Sequence, residues 1–156
     1  MKKVILLVLF PIFISSENSP FVELPPQHII EQPIVIAPKP IDNLISALIH
    51  VESRGIDSAI GDKHLGEPSI GVLQIRPIMV REVNRICKKL GLKQRFTLKD
   101  RFDRQKSIHM FTIWKGYHHK DDNFEAIARS WNGGPRWRKI KRTEKYWDKV
   151  EKQLNN

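Results

Sequence analysis

Residues 48–55 read LIHVESRG, and the glutamate in that stretch governs how the rest of the chain is understood. A helix begun at Ile41 and stepped at about 100° per residue puts Ile41, Leu44, Ile45, Ala47, Leu48, Ile49 and Val51 on one broad side. Asp42, Asn43, Ser46, His50, Ser53 and Arg54 occupy the other. Glu52 falls between Ile41 and Ile45, inside the apolar stripe. A carboxylate drawn out of water either finds a cation or a backbone group to hold it, or has its pKa lifted. The first outcome makes Glu52 a structural residue. The second makes it a proton donor near neutral pH, which is what a general acid requires.

Outward from this helix the pattern stays mostly helical. Asp42 is placed to cap the first helix, which runs to Arg54 with Gly55 as its stop. Residues 56–70, IDSAIGDKHLGEPSI, combine glycines, a proline and short apolar residues and predict a loop with a small hairpin. GVLQI (71–75) is expected to start the next helix. Pro77 suits a first turn, Met79, Val83, Ile86 and Leu90 follow at helical spacing, and Gly91 closes the helix. A further helix is expected over 103–118 with Ile108, Phe111 and Trp114 inside. Asp122 and Glu125 are spaced as a capping box before Phe124, Ile127, Ala128 and Trp131. NGGP (132–135) ends that helix. A last one begins at Thr143 with Trp147, Val150 and Leu154 inward. The expected fold is mainly α, a single domain over 41–156 with a short irregular or hairpin insertion after its first helix.

Ahead of the domain, MKKVILLVLFPIFISS has a basic start, an apolar run from Val4 to Ile14 and small residues after it. That is the layout of a secretory signal peptide, or of an uncleaved N-terminal anchor, over residues 1–16. The run is short of the roughly 20 apolar residues that span a bilayer. Residues 17–40 form a proline-rich tether, holding six of the chain's ten prolines. These features predict export, to a periplasm or cell envelope. The one cysteine, Cys87, rules out an intramolecular disulfide and fits a buried inert thiol. A net charge of +10 favours anionic partners.

Five further positions stand out only together. Gln74 is the single polar side chain in GVLQI. Asn132 sits in WNGG at a helix end. Tyr146 precedes Trp147 in the last helix. Ser53 and Ser69 flank the loop beside Glu52. In this order the motifs Glu52-Ser53, GVLQI, WNGG and Tyr146-Trp147-Asp148-Lys149-Val150 resemble the lytic transglycosylases of the goose-type lysozyme-like superfamily, over about residues 41–150. The turn before the glutamine differs, being Pro68-Ser69-Ile70-Gly71 where the family has Gly-Ala-x-Gly. Trp131 stands for the family's tyrosine and Gly133 for its alanine.

The resemblance implies a lysozyme-like fold and cleavage of the β-1,4 bond between N-acetylmuramic acid and N-acetylglucosamine in peptidoglycan. It implies Glu52 as acid and then base, Tyr146 orienting it with Ser53 in support, and Gln74, Asn132 and Ser69 contacting sugar. No cofactor or metal is implied. The partners are glycan strands, with anionic wall polymers or an envelope-spanning secretion or conjugation machine as further candidates. Two alternatives stay open. A hydrolytic muramidase needs a second carboxylate, for which Asp57, Asp62 and Glu67 in the neighbouring loop are available, although each also suits a plain surface position. A non-catalytic wall-binding module of the same fold needs no acid. His118-His119 beside Asp121-Asp122 lacks the spacing of a metal site. WRKIKR (137–142) carries no accompanying nucleic-acid motif, so no nucleic acid is expected; it suits a solvated linker or contact with an anionic glycan.

Overall fold

Five α-helices and a two-stranded sheet make up residues 40–156 of the computed structural model, which are the residues described here. The signal-peptide expectation and the tether up to residue 39 fall outside them; Pro40, counted in the tether, instead begins the first helix. No helix among the described residues is long and apolar enough to cross a membrane.

α1 spans Pro40–Ser53, starting two residues before the expected cap. Proline is tolerated in a first turn because its missing N–H has no helical partner there, and Asp42 then sits within the first turn. Leu44 and Leu48 are fully buried, as the stripe predicts. The helix stops when Arg54 and Gly55 both take positive φ.

The hairpin in the insertion forms as two very short antiparallel strands, β1 (Ile60–Gly61) and β2 (Ser69–Ile70). GVLQI does not begin a helix. It is a tight turn in which Ile70 and Ile75 exchange backbone hydrogen bonds, with Gly71 and Gln74 at positive φ. Val72, Leu73 and Ile75 are buried, so the apolar run closes the core from a turn rather than from a helix face. Gly71 cannot be replaced without moving backbone, because a Cβ there would run into the carbonyl of Arg101.

α2 (Pro77–Lys89) begins at Pro77 and buries Val80, Val83, Ile86 and Cys87. Leu90, expected inward, is the capping residue of this helix and is half exposed, while Gly91 at φ 68° turns the chain away. A 3-10 turn over Leu98–Phe102 leads to α3 (Arg104–His118), capped by Asp103 and burying Met110, Phe111 and Trp114. α4 (Phe124–Gly133) is capped by Asn123, whose side chain accepts from the Ala126 N–H. The expected Asp122–Glu125 box does not form, because Asp122 is engaged by His119 and Glu125 by Arg129. Gly134 at φ 68° ends α4, a 3-10 turn follows over Gly134–Lys139, and α5 covers Arg142–Leu154. α1 and α4 pack on α5 and α2 packs on α3, which leaves a groove between the helices and the insertion.

Candidate active site

Glu52 lies one residue before the end of α1, at the point where the apolar stripe meets this groove. The groove encloses about 900 Å³. Its walls come from the insertion, the first half of α2, the end of α3 and the end of α4 with the turn after it. Tyr146, buried on the facing side of α5, donates its hydroxyl to Glu52 Oε1 at 2.7 Å. That is the single hydrogen bond Glu52 makes among the described residues. Its second oxygen has no hydrogen-bond partner among the described residues and is not sealed from solvent, so it is open to the groove.

This environment sets the proton affinity. Burial pushes the Glu52 carboxyl up from 4.5 to about 7; the Tyr146 hydrogen bond pulls it down by a lesser amount, and the nearby Asp62 charge adds to the rise. Among the described residues no arginine or lysine pairs with it. The Tyr146 hydroxyl is itself driven well above its ordinary value by burial and by the carboxylate, so it stays a donor.

Ser53 does not reach the groove. Its hydroxyl donates to Val72 O at 2.9 Å and to Ile49 O at 3.2 Å, and accepts from the Gly55 N–H. It therefore pins the GVLQI turn to the end of α1 and fixes Glu52 indirectly. Ser69 and Gln74 do line the groove but spend their polarity on each other. Ser69 Oγ donates to Gln74 Oε1 at 2.8 Å, while Gln74 Nε2 donates to Gly71 O at 2.9 Å and to Ala59 O at 3.3 Å. Both amide hydrogens of Gln74 are used, leaving one oxygen lone pair for a ligand. The absence of a side chain at Gly61 leaves room for this pair, since a Cβ there would displace the Gln74 amide oxygen and Ser69 Oγ. Asn132 lines the groove from the last turn of α4, and its amide makes no hydrogen bond among the described residues.

Of the loop carboxylates, Asp57 pairs with Arg104 at 3.0 Å and Glu67 with Arg81 at 3.2 Å. Asp62 alone of the three faces the groove, in a left-handed backbone conformation. His118 and His119 diverge to separate partners, Glu82 at 2.7 Å and Asp122 at 2.6 Å.

One residue that sequence reasoning missed organises the insertion. Arg101 is buried and donates to the carbonyls of Leu98, Pro68 and Ile75, the last two at 3.1 Å. Burial holds its pKa below the usual arginine value. In sequence it is one cation among 27 and carries no local signal. Trp131, expected in the core, is only partly buried there, and its indole N–H donates to Leu73 O at 3.3 Å, tying α4 to the floor of the groove.

A buried acid, a tyrosine that orients it, and an open groove with an unengaged amide make up a site with the chemistry to deliver and retrieve one proton. Comparison of the chain with family models, with curated proteins and with solved structures returned no match.

Proposed function

We propose that the protein is a peptidoglycan lytic transglycosylase, built on a lysozyme-like domain and acting in the cell envelope. The observation that carries this reading is the Glu52–Tyr146 pair: a carboxyl with pKa about 7, with one hydrogen bond and no cation among the described residues, open to a groove of about 900 Å³. The ordered Glu-Ser, GVLQI, WNGG and Tyr motifs support it as a resemblance.

In this mechanism protonated Glu52 donates to the glycosidic oxygen as the bond from the muramoyl C1 breaks. The leaving N-acetylglucosamine end departs with that proton. The positive centre at C1 is stabilised by the substrate's own acetamido oxygen, so a single enzymic carboxyl suffices. Glu52, now a carboxylate, takes the proton of the muramoyl 6-hydroxyl while O6 bonds to C1. The ring closes, Glu52 is protonated again, and no water is consumed. Tyr146 keeps the carboxyl in one orientation through both steps, and Asn132 is placed to hold an acetamido or hydroxyl group.

A second reading has one observation in its favour. Asp62 shares the groove with Glu52, and a second carboxylate there suits activation of a water by a hydrolytic muramidase. The product separates the two, since an anhydro end is one water lighter than a reducing end. Digestion of purified peptidoglycan by wild type and by Glu52→Gln, followed by mass analysis of the muropeptides, tests both. Anhydro products from wild type alone support transglycosylation, and reducing ends support hydrolysis. Identical digests from the two proteins would sink both readings in favour of a binding module.

A further inference from the structure

The basic run 137–142 is not a plain solvated linker, because part of it belongs to the groove. Trp137 is buried, with two guanidinium groups over its ring: Arg129 Cζ at 4.8 Å from the centroid and Arg138 Cζ at 4.4 Å. The two arginines differ in how they are neutralised. Arg129 is bound by Glu125 at 2.7 Å and Glu144 at 3.3 Å. Arg138 has no carboxylate partner among the described residues, and neither does Arg142 at the start of α5. Both line the groove that holds Glu52.

Two acids that share the groove, Glu82 and Asp122, are engaged elsewhere. Glu82 is held by Arg85 and His118, which keep its carboxyl low, at about 2. Asp122, which borders a smaller hollow with Arg138, is bound by His119 at 2.6 Å. Stacking on a buried indole restricts a guanidinium that would otherwise wander and leaves its N–H edge for a ligand. A carboxylate matches that edge in shape and charge, accepting two parallel hydrogen bonds.

We propose that Arg138 and Arg142 form an anion subsite in the groove that binds a carboxylate carried on the muramoyl side of the substrate. The assignment rests on the peptidoglycan reading and narrows it: the enzyme then prefers strands with free carboxylates over the same strands with those groups blocked. Two sources share this chemistry, the stem peptide and the lactyl group that is exposed when the peptide is removed.

The test uses the full chain carrying Glu52→Gln, so that ligands bind without being cut. Calorimetric titration is done with a muropeptide tetrasaccharide, with the same molecule after conversion of its carboxyls to amides, and with the peptide-stripped glycan. The expected result is roughly tenfold tighter binding of the free-carboxylate form than of the amide form. Adding Arg138→Gln and Arg142→Gln erases that preference and leaves affinity for the amide form nearly unchanged. A preference retained by the stripped glycan identifies the lactyl carboxylate, and one lost with the peptide identifies the stem. Arg142→Gln alone, which does not touch the Trp137 stack, keeps the test valid if the double change unfolds the protein, and is expected to reduce the preference by itself. Equal affinity for the free form, the amidated form and the peptide-stripped glycan overturns the subsite, as does a loss on Arg138→Gln and Arg142→Gln that falls equally on all three. Anhydro products from wild type without a carboxylate preference remove the subsite alone. A carboxylate preference without any cleavage product removes the catalytic reading and leaves the subsite standing.

Discussion

Two polar clusters share the groove, and they differ in how completely they are satisfied. Ser69 and Gln74 close on each other and on the carbonyls of Ala59 and Gly71. Glu52 has Tyr146 as its one hydrogen-bond partner among the described residues. A buried polar group whose hydrogen bonds are met stabilises the fold around it, whereas one left short stores a demand that a ligand or a proton must meet. The contrast separates scaffold from reagent within one wall of the molecule. Gln74, placed by resemblance among the sugar contacts, belongs by its bonding more to the frame than to the ligand side.

The widest gap between the clusters should appear on removing the acid. Glu52→Gln keeps the shape of the side chain and is expected to lower product formation roughly 10²–10⁴-fold, read by muropeptide mass analysis. A variant that still forms product at near wild-type rate breaks the contrast at its centre.

The same residue should leave a signature in stability. The Glu52 carboxyl titrates near 7 in the folded protein against 4.5 when solvated, so the native state holds the proton more tightly. Stability is therefore full below about pH 4.5 and falls as pH rises through 7. Relative to Glu52→Gln, which does not titrate, wild type is expected to lose about 3 kcal/mol between acid and mildly alkaline pH. Urea unfolding of both proteins across that range checks it, and parallel curves would show that the carboxyl is not desolvated.

Breaking the satisfied cluster should act on folding and spare the chemistry. Ser69→Ala leaves the Gln74 oxygen without its donor and is expected to cost about 1–3 kcal/mol in urea unfolding, with little change in kcat for the molecules that fold. A raised KM with unchanged stability would move Ser69 and Gln74 to the ligand side and erase the distinction.

The smallest expected effect sharpens it. Tyr146→Phe removes the one bond that holds Glu52 and that lowers its pKa. The alkaline limb of the pH–rate profile should then move above about 7, while the rate on the acid plateau falls roughly tenfold through lost orientation. A change in rate without the upward shift would show Tyr146 to be packing alone.

What could be read from the chain follows the range of the forces involved. Helix faces repeat every three or four residues, so Leu44, Leu48, Val83, Ile86, Phe111 and Val150 are legible as core from spacing alone, and the structure buries all six. Glu52 is legible for the same reason, as the break in such a repeat. Spacing fails where the backbone is irregular. GVLQI has the composition of a helix start, yet two positive φ values and the carbonyl of Arg101 against Gly71 make it a turn. The cap of α4 is misplaced by one residue because Asp122 is drawn to His119, a partner supplied by the end of the preceding helix. Arg101 has no signal of its own, since a buried arginine is recognised by the carbonyls around it and those lie 26 and 33 residues away.

The amino-acid order by itself determined that the domain is helical, where its helices lie and which carboxylate sits on an apolar face, because these depend on periodicities of a few residues. The tertiary structure alone decided that Tyr146 meets Glu52 across a separation of 94 residues, that Gln74 is spent on its own loop, and that Arg138 lines the groove with no carboxylate partner among the described residues. Those outcomes depend on which distant groups share a space and on how many hydrogen bonds remain unfilled once they do.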